Sequence, residues 1–154
     1  AKELPFQGVY RLTPTGELTL LTKSITRPNG IGFSPDAKTL YVASSDPDLA
    51  IWTAFPVKDD GTLGEGKVIH DATAEVKAKK PGLPDGLKVD HKGNVFATGP
   101  DGVFVFSPAG TLLGKIVIGD KNANCAFGDD GSTLYICAND KLVRIKTTTK
   151  GLGF

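Results

Sequence analysis

The sequence has no methionine, one tryptophan, two histidines and two cysteines in 154 residues. His70 and His91 are too isolated in the chain to suggest a hydrolytic triad. Two cysteines do not make a disulfide framework and do not fix the redox compartment. If Phe127-Gly128 and Ser132-Thr133 flank a hairpin turn, Cys125 and Cys137 lie about one register apart on opposite sheet faces. They are expected to be free, buried thiols. The formal net charge of +1 gives no footprint for nucleic acid or for a membrane surface, and neither is expected as a partner. No apolar run approaches the roughly 20 residues that cross a bilayer. The first residues, Ala1-Lys2-Glu3-Leu4, lack the apolar core of a signal peptide. The compartment stays open on these grounds. The missing methionine fits a fragment, and fits equally a chain whose initiator residue has been removed.

What is abundant is punctuation. Nineteen glycines and ten prolines fall between short β-branched or aromatic runs, the pattern of strands and tight turns rather than of helices. With 40% hydrophobic and 23% charged residues, the chain is a soluble all-β protein of ordinary domain size.

The pattern repeats. Gly82-Leu83-Pro84-Asp85-Gly86-Leu87-Lys88-Val89-Asp90 has relatives in Asn29-Gly30-Ile31-Gly32-Phe33-Ser34-Pro35-Asp36 and in Asn124-Cys125-Ala126-Phe127-Gly128-Asp129. Each runs from an oxygen-bearing residue into apolar alternation, then an acidic turn, then a second strand. Strands are predicted at 8–13 and 17–22, with Val9, Leu12, Leu18 and Leu20 partly alternating. A four-stranded meander follows at 30–34, 39–44, 50–57 and 66–70, and a second at 86–89, 94–98, 102–106 and 112–118. Three strands close the series at 124–127, 133–138 and 141–146. The connection 71–84 has room for a short turn of helix near Val76–Lys80, and its lysines read as a solvated loop. Gly61 to Lys67 has phosphate-loop spacing, but Val68 replaces the Ser or Thr that would hold magnesium and no strand-to-helix context exists. It reads as a hairpin connection.

Meanders repeated at roughly 40 to 50 residues are propeller blades. The chain divides into the end of a partial blade (1–24), two full blades (28–71 and 84–119) and three strands of a last blade (123–147).

Gln7-Gly8-Val9-Tyr10-Arg11, Arg27-Pro28-Asn29-Gly30-Ile31, Phe33-Ser34-Pro35-Asp36, Thr39-Leu40-Tyr41-Val42, Pro84-Asp85-Gly86-Leu87-Lys88-Val89-Asp90, Gly93-Asn94-Val95-Phe96 and Asn124-Cys125-Ala126-Phe127-Gly128 together resemble the senescence marker protein / gluconolactonase / luciferin-regenerating enzyme family. The resemblance runs in order over essentially the whole chain. It implies a six-bladed β-propeller, of which this chain supplies the C-terminal half, about three blades. It further implies one divalent cation in the central channel, calcium first, with zinc, magnesium or manganese as alternatives, and a small-molecule lactone as substrate. In the family the metal is held by a Glu, an Asn and an Asp, and Asn29 and Asp85 match the last two. The Glu, and the substrate-contacting Arg and Asn of the family's first half, have no counterpart here.

Inner strands of a propeller converge on one axis, so Asn29, Asp85 and Asn124, each opening a repeat, are expected to face a shared point. A carboxamide and a carboxylate are hard oxygen donors suited to calcium or magnesium, and Asp85 is also the expected general base. Asn29-Gly30 also reads as a two-residue hairpin turn, although Pro28 before it cannot continue a ladder. Asp85-Gly86 also reads as a Pro-Asp-Gly turn. Asn124, Ser45 and Asp46 are candidate pocket residues; for Asn124 the alternative is strand-end hydrogen bonding, for Asp46 an Asp-Pro turn. Asp36, Asp59, Asp60, Asp129 and Asp130 read as turn residues.

Half a ring leaves blade faces and strand edges to cover. The expected partner is the complementary N-terminal half; a second copy of this chain would close the ring imperfectly. The leading expectation is metal-dependent lactone hydrolysis completed by that half. The alternative is a non-catalytic metal-binding fragment or interaction module.

Overall fold

The computed structural model describes residues 3–154. The two-stranded opening is β1 (Val9–Leu12) and β2 (Leu18–Thr22). The next sheet is β3 (Pro28–Phe33), β4 (Thr39–Ser44), β5 (Ile51–Pro56) and β6 (Lys67–Asp71). A five-residue helix, α1 (Thr73–Lys77), leads across to β7 (Leu87–Val89), β8 (Val95–Gly99), β9 (Gly102–Phe106) and β10 (Leu112–Val117). Last come β11 (Asn122–Gly128), β12 (Thr133–Ala138) and β13 (Lys141–Lys146). Each sheet is an antiparallel meander with strands in sequence order. The fold is therefore all-β, with the sheets of propeller blades.

Period-two alternation sends each strand's side chains to two different cores. In β4, Leu40 and Val42 pack with Val9, Ile25 and Phe55 against the β1–β2 ribbon, whereas Tyr41 and Ala43 join Trp52 against Leu87, Val89, Val95, Ala97, Phe104 and Phe106. In β8, Val95 and Ala97 belong to that second core, and Phe96 faces the third, with Val103, Cys125, Leu134 and Ile136. This is why β4 and β8 read as near-continuous apolar runs: both faces are covered. Trp52 is fully buried, its ring 4.9 Å from Phe104 and 5.4 Å from Phe106.

The acidic turns behave as the sequence indicates. Asp36, Asp60 and Asp130 each accept a hydrogen bond from the backbone amide two residues on, which closes the turn with a side chain. Asp90 does more: fully buried, it accepts from the backbone amides of Lys92 and Asn94, the Asn94 amide and the Thr149 hydroxyl. The segment after β13 comes back to it. Leu152 donates its amide to Val89 at 3.0 Å, and Gly151 bridges to Asp90.

Four expectations need correction. Cys125 is buried but Cys137 is exposed: the register sets Cys125 opposite Ile136 and Cys137 opposite Asn124, so the two lie on opposite faces and only one faces a core. The helical turn forms at Thr73–Lys77, earlier than Val76–Lys80, because Asp71 accepts the amide of Thr73 at 2.8 Å and starts the chain turning there. The loop lysines are not all free, since Lys80 pairs with Asp101 at 3.0 Å. Of the alternating residues in the opening ribbon only Val9 is buried; Tyr10, Leu12, Leu18 and Leu20 share its other face and are exposed. The 61–67 segment is a hairpin connection, with Val57 bridged to Leu63 and β6 starting at Lys67. No helix among the described residues is long and apolar enough to cross a membrane.

Candidate functional site

The innermost strands β3, β7 and β11 lie side by side, and glycines let them. An alanine Cβ at Gly30 would sit 1.9 Å from the carbonyl oxygen of Asp85; at Gly86 it would sit 2.1 Å from Oδ1 of Asn124. Neither glycine has a positive φ, so both serve close backbone approach rather than turn geometry. Asn29-Gly30 is therefore not a hairpin turn. Pro28 is the first residue of β3, the position where a missing N–H costs no ladder bond. Asp85-Gly86 likewise enters a strand: the Asp85 amide donates to Thr98 O, and the Gly86 amide crosses to Ala123 O, both at 3.0 Å.

This packing brings the residues at the strand starts to one cleft of about 520 Å³, whose lining includes Asn29, Ser45, Asp85, Lys121, Asn122 and Ala123. Ser45 Oγ donates to Pro84 O and accepts from Asn29 Nδ2 at 2.9 Å. A carbonyl oxygen only accepts, so Ser45 has no second proton to give, and it is the nitrogen of Asn29 that faces it. Burial pushes the half-buried Asp85 carboxyl above its ordinary value, while the Asn29 amide beside it and the Gly86 N–H pull the other way.

Of the residues singled out in the sequence, Asn29, Ser45 and Asp85 thus meet. Asp46 does not join them: its carboxylate accepts the Asp48 amide at 3.1 Å, and the Thr26 hydroxyl together with that amide holds it below its usual value. Asn124 lines a separate cavity with Lys88, Tyr135 and Cys137, and its Oδ1 accepts the amide of Cys125 at 2.9 Å. A β-bulge between Asn122 and Asn124 adds a residue to β11; Ala123 lines the cleft and accepts the Gly86 amide, while the Asn124 side chain packs against Gly86. Asn122 was missed. It is 2% exposed, its Nδ2 donates to Asp120 O at 2.6 Å, and its Oδ1 is buried without a partner among the described residues. Among the described residues no three His, Cys, Asp or Glu side chains cluster as a metal site. The oxygens of Asn29 and Asp85 nonetheless suit a hard divalent cation, as a partial donor set that other oxygens would complete.

Blade sheets packed face to face, with their inner strands around a carboxylate-bearing cleft, define a propeller protein with its candidate site at those inner strands. The SMP-30/Gluconolactonase/LRE-like family matches residues 1–140, and the chain belongs to that family. It is 38% identical over 154 residues to the gluconolactonase of Zymomonas mobilis, covering 97% of this chain and 43% of that protein. Among solved structures it is similar to a gluconolactonase of Xanthomonas campestris, with TM-score 0.81 and 33% identity over 95% of this chain and 46% of the other. It also shares the fold of a calcium-binding regucalcin from Agrobacterium tumefaciens, with TM-score 0.71, 22% identity, and coverage of 96% and 54%. The chain spans about half the length of these relatives, and it is half of a propeller of their type.

Proposed function

We propose that this chain carries part of a divalent-cation-dependent lactone hydrolase, with Asp85 as general base and Asn29 and Asp85 as cation ligands. The observation that supports it is the placement of Asp85 beside Asn29 in one cleft, held there by the approach of β3 to β7 at Gly30. The lactonase relative and the calcium-binding structural neighbour point the same way.

A bound divalent cation supplies polarisation of an ester carbonyl and a lowered pKa for water. The chain's own residues do the rest. Asn29, its amide nitrogen held by Ser45, would offer its Oδ1 to the cation. Asp85, with its carboxyl raised by partial burial, takes a proton from the attacking water as the water oxygen bonds to the lactone carbonyl carbon. When the ring C–O bond breaks, that proton returns to the departing ring oxygen and leaves a hydroxy acid. Of the three candidate pocket residues only Ser45 acts in the cleft, by orienting Asn29; Asp46 closes its own turn on the Asp48 amide, and Asn124 packs against Gly86.

The exposed face of the β1–β2 ribbon and the free edge of β13 support completion of the ring by the complementary propeller half. Asp85→Asn in the assembled protein is expected to lower lactone hydrolysis by at least about 100-fold and to weaken calcium binding measured by calorimetry. Calcium affinity and turnover both equal to wild type would remove Asp85 from the site. Calcium binding with no lactonase activity in the assembled protein would favour the non-catalytic metal-binding module.

A further inference from the structure

An apolar groove of about 280 Å³ lies between β1 and β3, far from the cleft residues, and its lining includes Val9, Tyr10, Arg11, Ile31, Phe33 and Leu40. Ile31 and Phe33 are each 50% exposed. They share a face with Val42 and Leu40, their partners across the ladder. The groove therefore continues the core of Val9, Ile25, Leu40, Val42 and Phe55. Beside it, one edge of β1 has no strand paired to it among the described residues, since its sheet holds β1 and β2 alone. An open edge next to a bare apolar face is a template for an added strand.

The next interface along the chain shows what fits there. Leu87 and Val89 follow Asp85-Gly86 as Ile31 and Phe33 follow Asn29-Gly30, yet they are only 1% and 6% exposed. Two strands of the preceding sheet cover them. Gly32 of β3 lies so close that an alanine Cβ there would sit 2.7 Å from Leu87 Cδ1, and Tyr41 and Ala43 of β4 share their core. Trp52 of β5 joins the same core with Val95, Ala97 and Phe104, residues of β8 and β9; Val9 of β1 joins Leu40, Val42 and Phe55, residues of β4 and β5. Val9 thus stands where Trp52 stands one blade later, and β1 and β2 hold the third and fourth places of a blade. We infer that the groove seats a β-hairpin of the complementary half. Its second strand extends β1 antiparallel, and its first strand crosses Ile31 at a glycine, as Gly32 crosses Leu87. The two halves then share one blade instead of meeting between blades. This rests on the ring completion proposed above and is independent of the lactone chemistry.

The chain's own β3–β4 segment serves as the probe. In a Cys137→Ser background, Phe33→Cys places a thiol in the groove while Cys125 stays buried. Residues 28–50 are then put in place of residues 1–7, joined directly to Gly8, so that Val9 follows the copied hairpin as Trp52 follows the original. This extension is expected to slow labelling of the introduced thiol about tenfold or more, and a scrambled extension of the same composition is expected to leave the rate unchanged. The second measurement does not depend on the extended chain folding. A free peptide of residues 28–50 should slow labelling of the unextended chain saturably, and the scrambled peptide should not. Protection in neither experiment, or equal protection by the scrambled sequences, overturns the inference. An unextended chain that is dimeric, with its thiol protected until dilution, places a second copy in the groove and defeats both the shared blade and completion by the complementary half. Protection by the hairpin together with an assembled protein that hydrolyses no lactone upholds the shared blade and defeats the catalytic reading alone.

Discussion

Replacing Gly30 by alanine tests whether the inner strands hold the site. The new Cβ would lie 1.9 Å from Asp85 O and 2.9 Å from Asp85 C, both backbone atoms. A side chain could swing away; the start of β7 cannot, because the Asp85 amide is bonded to Thr98 O and the Gly86 amide to Ala123 O. Relief requires the two strands to part by more than about 1 Å. Overpacking of this kind costs about 1–3 kcal/mol, and contact with fixed backbone places Gly30→Ala at the upper end. For a chain of this size, about 3 kcal/mol lowers Tm by about 6–12 °C. Because the strands part at Asp85, calcium affinity is expected to fall with Tm. Gly114→Ala is the control: nothing lies within 4 Å of its Cβ position and its φ is not positive. That change is expected to be neutral, or slightly stabilising through the unfolded chain. Thermal melts of the three proteins by circular dichroism decide the matter. A Gly30→Ala protein that melts with wild type would refute the close approach of β3 and β7.

Two further predictions concern titration and reactivity. His70 sits among the rings of Trp52, Phe104 and Phe106. Burial there lowers its pKa below 6.5; Glu75 and Asp71 oppose this and Lys115 adds to it. The unfolded chain therefore binds the proton more readily, so His70's contribution is complete above pH about 6.5 and is lost as pH falls towards the lower folded value. Urea midpoints at pH 7.5 and 5.5 should show this loss, and His70→Gln should reduce it; an identical pH slope in the variant would exclude His70. Among the thiols, exposed Cys137 should react with a thiol reagent within seconds to minutes at pH 8. Cys125, buried and with its thiol pushed up to about 12, should react only on denaturation. Two equivalents titrating together in the native protein would contradict the register of β11 and β12.

Much of the fold was legible because the strands advertise themselves locally. Runs such as Thr39-Leu40-Tyr41-Val42-Ala43 and Gly102-Val103-Phe104-Val105-Phe106 are β-branched and aromatic, and the turns between them carry Asp or Gly at the positions that need them. That Asn29 and Asp85 come to one cleft was legible because each precedes a glycine at the same point of a repeat. What stayed hidden depends on register and distance. β11 carries a bulge between Asn122 and Asn124, and Ala123 rather than Asn124 lines the cleft; nothing local announces it. Asn122 carries no repeat signal. Asp90 looks like one more turn residue, yet its fourth partner is Thr149, 59 positions away. The return of residues 147–154 to the end of β7 depends on that long-range contact and has no periodicity of its own.

The double-sided packing of β4 and β8 has a mechanical consequence. Each is a dividing wall between two chambers, with alternate side chains furnishing the rooms on either side. Removing such a wall opens both chambers at once, so the loss of one central strand deprives two cores of their lining. The chain therefore resists local loosening in its middle and yields first at its ends, where the β1–β2 ribbon and β13 are walls with a room on one side only.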